Sequence, residues 1–426
     1  MGSSITPIDE TARLKRAVEE LSILNDLARS IGASLNSEEI MQTIVRRSIR
    51  ALNAEQGVIT LVDARNVEPM KTLVRAVVSS ADQGQFHLHQ ALIGWMHLNL
   101  KPLMVEDTQR DERFQGVSWD VSVRSLLCVP LMVKSELRGV LTLYNKKEGL
   151  KFTTDDQRLL AIIAAQSAQV IENARLYEEE KQFLKMQQEV RLAATIQMDL
   201  LPKVSPSVPG YEIFGTSIPA QTVGGDYFDF IPMSEGRIAL CLGDVTGKGL
   251  PASLLMANLQ ATLRGQTLVA VHPNECLNRS NKLLYQSTSP EKFATVFYAI
   301  LDPRTHTLSY SNAGHDNPFI FTPDGSSRRL TAGGIMLGAF EEFTYEEDSA
   351  NLQPGEVLVV YSDGFTEAMN AMQEMYSEKT LQTFLHAHRQ ESPRAIAEEL
   401  IVDVQKHAAG FLQSDDMTVV IVRRVA

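Results

Sequence analysis

The chain has 426 residues, 44% hydrophobic and 22% charged, with a formal net charge of −12. That length implies two or three domains, and the composition is that of soluble globular cores. The acidic balance argues against nucleic acid or an anionic membrane as a partner. Cys128, Cys241 and Cys276 lack any C-x-x-C spacing, so neither a disulfide framework nor a zinc site is indicated. No apolar run reaches the roughly 18 residues of a membrane span, and the N-terminus lacks the basic-then-apolar order of a secretory signal. A reduced, cytoplasmic compartment is the expectation. "MGSSIT" meets the loose myristoylation pattern, as many Gly-Ser starts do by chance.

In chain order, residues 11–32 come first. Leu14, Leu21 and Ala28 recur every seven residues, as do Ala17, Leu24 and Ile31. That spacing makes one apolar helical seam, which suits either packing on its own domain or a dimer contact. Asn36 or Ser37 can cap the helix "EEIMQTIVRRSIRALN", whose acidic start and basic later turns suit the helix dipole. "GVITLVD", "SLLCVPLMV" and "RGVLTLYNKK" read as strands. From "FTTDDQ" a helical pattern runs without a breaker to Pro202. Within it Leu176, Phe183, Val190 and Gln197 form one seven-residue ladder, and Glu179, Met186, Ala193 and Leu200 another. All but Gln197 and Glu179 are apolar, which predicts a coiled-coil connector. Pro202, Pro206 and Pro209 then mark a boundary. Beyond it, strand-like runs ("YEIFGTS", "GRIALCLGD", "FATVFYAILD", "TLSYSNAG", "EVLVVYSDG", "MTVVIVRRV") alternate with helical stretches at 250–265, 273–287 and 393–409. A mixed, layered domain is expected there.

The chemistry lies in that second half. Asp226 in "VGGDYFD", Asp244 after "IALCLG", Asp363 in "YSDG" and Asp415 before "MTVVIV" all abut apolar strands. Strand ends converge at a sheet edge, so four carboxylates distant in sequence can meet. Without a counter-charge they would repel and raise one another's pKa. Two divalent cations resolve that repulsion, and oxygen-only donors favour Mg²⁺ or Mn²⁺ over zinc. "CLGDVTGKGLPAS" first suggests a phosphate-binding loop, which needs G-x-x-x-x-G-K followed by Ser or Thr. Gly243 and Gly247 are one residue too close, and Gly249 stands where the hydroxyl belongs. That reading fails, and Lys248 is expected to be a solvent-facing turn residue.

The motifs "VGGDYFD", "GDVTGKGLPAS", "NAGH", "YSDGFTEA" and "SDDMTVVIV" occur in one order. That order resembles bacterial metal-dependent protein phosphatases of the SpoIIE/RsbU-like branch, a PPM-type family, over about residues 185–425. The preceding "AATIQMDLLP" is similar to that branch's regulatory linker helix. The resemblance implies an αββα sandwich of two sheets flanked by helices, with a two-metal site between them. It implies that Asp244 bridges both metals, that the Val245 carbonyl and Asp226 serve one, and that Asp363 and Asp415 hold the other. A metal-activated water would then attack phosphoserine or phosphothreonine in line, without a covalent phosphoenzyme. The implied substrate is a phosphorylated STAS-domain anti-sigma antagonist. Asp229, Asp416 and His315 keep two readings each, a supporting role at the site or an ordinary turn or solvated position.

Residues 20–175 resemble a GAF domain, a small-molecule sensor or dimerisation module on an antiparallel sheet. The segments that carry this are "ILNDLARSIGASLNSEEIMQTIV", "SLLCVPLMVKSELRGVLTLYNKK" and "FTTDDQRLLAIIAAQSAQVIENARLYEE". Asn145, Lys146, Phe152 and Asp156 fit the N-K…F-x-x-x-D-E signature of cyclic-nucleotide binders, but Gln157 replaces the final acid. The same residues could simply close a strand–loop–helix turn. Cys128, inside an apolar run, reads as a core residue rather than a chromophore anchor. The expected architecture is therefore an N-terminal helical segment (1–19), a GAF sensor (20–175), a helical coiled-coil linker (176–203) and an αββα phosphatase domain (204–426), in a homodimer. Two other functions fit the motifs less well. "GGDYF" is superficially like a diguanylate cyclase signature, but Tyr227 stands where an acid is needed. A catalytically silent binding module would not need all four aspartates.

Overall fold

The structure, a computed structural model, describes residues 37–62, 70–77, 90–289 and 291–425. The helix expected over 11–32 and the segment 1–19 lie outside the described residues. The chain divides into two compact units at Lys185/Met186.

In the first unit, helix α1 (Ser37–Ala51) opens with Glu38 and Glu39 and has Arg50 in its last turn, each charge opposing the dipole end it sits on. Strands β1 (Ala54–Val62), β2 (Met70–Val77), β3 (Leu103–Val105), β4 (Leu126–Val133) and β5 (Glu136–Lys146) form an antiparallel sheet in the order β2-β1-β5-β4-β3. Strand alternation splits its side chains between two cores. Ile59, Leu127, Val129, Leu141 and Leu143 pack with Ile44 and Val45 of α1. Val58, Leu126, Cys128, Val140 and Tyr144 face the other way, towards Leu92 and Met96 of α2 (Gln90–Asn99). Cys128 is fully buried 3.2 Å from Thr142 Oγ1, and burial pushes its thiol up to about 12, as befits a core residue.

The residues of the nucleotide-like signature are spent on the fold itself. Asn145 Oδ1 accepts from the backbone N–H groups of Arg124 and Ser125, and its Nδ2 donates to Glu55 and the Ser122 carbonyl. Lys146 pairs with Asp156, which also accepts from the Thr153 N–H at the start of the next helix. That helix, α3 (Thr154–Leu200), is 47 residues long. Along its middle Leu176, Phe183, Met186, Leu192 and Ile196 are exposed in the single chain.

The second unit is a four-layer sandwich. Strands β7 (Tyr227–Pro232), β8 (Ile238–Val245), β9 (Ala294–Asp302), β10 (Thr307–Ala313) and β13 (Gly333–Gly334) form one sheet, ordered β13-β10-β9-β8-β7, with β14 (Asp348–Asn351) also on β10. The other is β12-β11-β15-β16-β6, from β6 (Tyr211–Ile218), β11 (Phe319–Phe321), β12 (Ser327–Arg329), β15 (Val357–Tyr361) and β16 (Met417–Arg424). On β15 and β16, Leu358, Val360, Val420 and Val422 point into the core shared with the first sheet. Val357, Val359, Val419 and Ile421 alternate outward onto α6 (Glu378–His388) and α7 (Pro393–Ala408), meeting Leu381, Leu385, Ile396 and Leu400. Helices α4 (Leu250–Thr267) and α5 (Pro273–Ser287) pack Leu259, Leu263, Leu277 and Leu284 into the core of the first sheet. The expected αββα layering is present. Strand β7, helix α6 and the short strands β11 to β14 are additions to the elements read from sequence.

Candidate active site

Both sheets deliver carboxylates to one edge of the sandwich. Asp226 immediately precedes β7 and Asp244 lies one residue from the end of β8. From the other sheet, Asp363 follows β15 and Asp415 precedes β16. The four predicted aspartates come within electrostatic reach of one another. Asp244 is pushed up to about 7, by burial first and then by the charges of Asp363, Asp415 and Asp416. Asp363 is pushed up to about 6 by burial, Asp415 and Glu367. Asp226 is only 4% exposed, and burial together with Asp244 drives its carboxyl well above the usual range. The nearby hydroxyls of Thr418 and Ser362 relieve this only in part.

The cluster has the character of a divalent-cation site. Asp226 Oδ2 is buried and accepts no hydrogen bond in bonding geometry. A side chain added at Gly225 would begin 3.2 Å from the Val245 carbonyl oxygen and 3.3 Å from Asp244 Oδ1, so those two oxygens border one space, which any larger residue there would crowd. The donors are carboxylate and carbonyl oxygens without His or Cys, a set that suits hard cations. The residues present fit such ions.

Asp416, left open from sequence, has a different task. Its Oδ1 accepts from the Ala220 N–H at 2.7 Å, and its Oδ2 from the N–H groups of Gly225 (2.5 Å) and Asp226 (3.3 Å). It is the post around which the 220–226 loop folds, and so it sets where Asp226 sits. Asp229 is fully buried and satisfied on β7 by Tyr227 Oη, the Phe230 N–H and a two-pronged Arg264 from α4. Its partners belong to the core rather than to the cluster. His315 Nδ1 lies 3.0 Å from Thr295 Oγ1, and Thr295 is the ladder partner of Asp244. Burial lowers its imidazole to about 4, so it is neutral at ordinary pH and unsuited to donate a proton there.

Two residues went unrecognised in the sequence. Gln197, the polar exception in an apolar ladder, is buried and clamps Gly224 from both sides: Nε2 donates to its carbonyl at 2.6 Å and Oε1 accepts its N–H at 3.1 Å. The end of α3 thus holds the loop that carries Asp226. Lys248 is the other, and here the expectation is corrected. Its side chain is half exposed, yet Nζ lies 2.9 Å from Asp415 Oδ2 and donates to the Ser414 carbonyl at 2.6 Å. An ammonium this near an acidic cluster is drawn to it, and chain separation hid that from the sequence.

Comparison with known proteins agrees with this layout. A family description, Stage II sporulation protein E (SpoIIE), matches residues 234–425, and a GAF-domain description matches residues 34–172. The chain is a GAF domain joined to a SpoIIE/RsbU-like protein serine/threonine phosphatase of the PPM type. Over 253 residues it is 29% identical to the phosphoserine phosphatase RsbU of Bacillus subtilis, covering 58% of this chain and 75% of that one. Protein IcfG of Synechocystis sp. is 29% identical over 266 residues, which span 55% of this chain and only 41% of that protein. In fold, the second unit is similar to the SiaA-PP2C domain of Pseudomonas aeruginosa, with TM-score 0.51 and 19% identity, over 56% of this chain and 97% of that domain. The family is metal-dependent, in keeping with the all-oxygen donor set. Among the described residues, no helix is long and apolar enough to cross a membrane.

Proposed function

We propose that this protein is a cytoplasmic, GAF-regulated phosphatase that hydrolyses phosphoserine on a STAS-domain anti-sigma antagonist, using two Mn²⁺ or Mg²⁺ ions. The observation that carries the reading is the four-aspartate cluster drawn from two sheets, with Asp226 buried and its Oδ2 accepting no hydrogen bond. Asp244 would bridge the cations, Asp226 and the Val245 carbonyl would serve one, and Asp363 and Asp415 the other. Bound cations supply an activated water and neutralise phosphoryl oxygens. The protein's own share is positional. Asp416 and Gln197 fix the loop bearing Asp226, and the strand ends of both sheets fix the other three carboxylates. The test is phosphate release from phosphorylated STAS-domain proteins encoded beside the gene. Release with Mn²⁺ and none without it supports the reading, whereas GTP turnover with no phosphoprotein hydrolysis overturns it.

The division into a helical segment (1–19), GAF sensor (20–175), linker (176–203) and catalytic domain (204–426) belongs to the same proposal. So does a homodimer, joined along the exposed apolar positions of α3 as a coiled coil. A small molecule or protein partner at the GAF domain would act through α3, whose Gln197 grips Gly224 beside Asp226. Deleting residues 1–180 is expected to change phosphatase activity and its Mn²⁺ requirement. Equal activity and equal Mn²⁺ dependence in the truncated and full chains would rule that coupling out.

A further inference from the structure

The turn between β8 and α4 carries a cation to the edge of the carboxylate cluster. Gly247 takes φ +99°, a conformation open to glycine, and the next residue, Lys248, bonds Asp415 and the Ser414 carbonyl. Lys248 also lines a small cleft with Gln221, Gly225, Asp415 and Asp416, at the edge of the carboxylate cluster. A second ammonium, that of Lys292, lies 3.5 Å from where a side chain on Gly247 would begin.

Charge balance gives these contacts a meaning. Asp416 is already served by three backbone N–H groups. The other four aspartates would be balanced by two divalent cations, as proposed above. Asp415 then no longer needs the lysine, and a half-exposed side chain with four rotatable carbons is free to find another anion. The anion that must arrive at this site is a phosphoryl group, and no arginine from the sequence motifs is placed to receive it.

We propose that Lys248 is a positioning residue with two successive partners: Asp415 while the site is free of metal, and a phosphoryl oxygen of the substrate once cations hold the carboxylates. This rests on the phosphatase reading and adds a named residue for substrate anchoring.

The test uses the full chain with Lys248→Met and Lys248→Arg, and two readouts. In calorimetric titration with Mn²⁺ alone, Lys248→Met should bind the ion about two- to fivefold more tightly, because a competing surface ion pair worth up to ~1 kcal/mol is gone. With Mn²⁺ saturating, the inhibition constant of inorganic phosphate and the KM for phosphoprotein should both rise about tenfold, with a smaller change in kcat. Lys248→Arg should recover most of the phosphate binding. Unchanged or weaker Mn²⁺ binding in Lys248→Met overturns the proposal, as does phosphate inhibition that matches the wild type. A wild-type chain that binds no Mn²⁺ overturns the phosphatase reading, and the lysine's role with it.

Discussion

Asp244→Asn is expected to abolish Mn²⁺-dependent phosphate release while leaving a folded chain that is more heat-stable than wild type in metal-free buffer. The two halves of that expectation have one cause. Asp244 feels Asp363, Asp415 and Asp416, and its own burial weakens the screening by bulk water. An amide of the same shape removes one charge from that repulsion, so the empty cluster relaxes. The same change removes the oxygen charge that most of the site would share in holding cations. In metal sites, loss of a mere supporting contact costs about 10–100-fold, so loss of a ligand common to both ions should cost at least about a hundredfold. Activity at saturating Mn²⁺, Mn²⁺ titration and melting in chelator check the three parts separately. Asp363→Asn should behave alike but more mildly in stability, being pushed up only to about 6. Full Mn²⁺-dependent activity in either variant would mean that the cluster is not the metal site.

A pH dependence follows, with a definite sign. Asp244 at about 7 and Asp363 at about 6 hold protons in the metal-free folded state that the unfolded chain, near 3.8, has already released. Their contribution is therefore fully present at low pH and is lost as pH rises through about 6 to 7. His315 works in the opposite sense, since its folded value of about 4 lies below the ordinary 6.5 and its contribution is lost as pH falls through that range. Between pH 8 and 6.5 the histidine stays neutral in the folded state while up to half of it protonates in the unfolded chain, so it offsets part of the aspartates' gain without exceeding it. Metal-free protein should melt roughly 1–2 °C higher at pH 6.5 than at pH 8. Saturating Mn²⁺, which binds the ionised carboxylates, should erase or invert that difference. A metal-free melting temperature that climbs from pH 6.5 to 8 would refute this account of the cluster.

The layered second domain was legible because β15 and β16 are runs of apolar residues closed by Asp-Gly or Asp-Asp, a pattern that buries both faces and spends polarity only at the ends. Its sheet-edge carboxylates were legible for the same reason. What escaped was set by contacts between segments far apart in the chain. Lys248 looked solvated because its partner is far from it in sequence, whereas the fold lays Asp415 against it. Asp416 looked like half of a hydrated Asp-Asp pair, but three N–H groups of a loop two hundred residues earlier replace the water. Gln197 had a visible signal in its place within an apolar ladder. Its purpose was not visible, because Gly224 offers only backbone to it. Strand β7 was missed since its alternation is interrupted by Asp229, a charge whose counter-ion comes from α4.

That charge supports the largest expected effect on stability. Asp229 has no solvent exposure, and Arg264 covers it with Nε at 2.6 Å and Nη2 at 3.0 Å. Arg264→Met leaves the carboxylate buried with only Tyr227 Oη and the Phe230 N–H as donors. Removing one partner of a buried pair costs about 3–5 kcal/mol, chiefly as the penalty of the charge left behind. Arg264 itself is half exposed, so water can reach the vacated side and the lower end, about 3 kcal/mol, applies. For a domain of this size that lowers the melting temperature by roughly 6–12 °C. Adding Asp229→Asn to Arg264→Met should recover most of the loss, because a neutral amide needs hydrogen bonds but no counter-charge. Mn²⁺ affinity should not move in either variant, since Asp229 spends its bonds in the core and none on the carboxylate cluster. A loss below about 1 kcal/mol in Arg264→Met would place the pair among ordinary hydrated ones, and the interruption of β7 would then have some other cause than a charge compelled to pair.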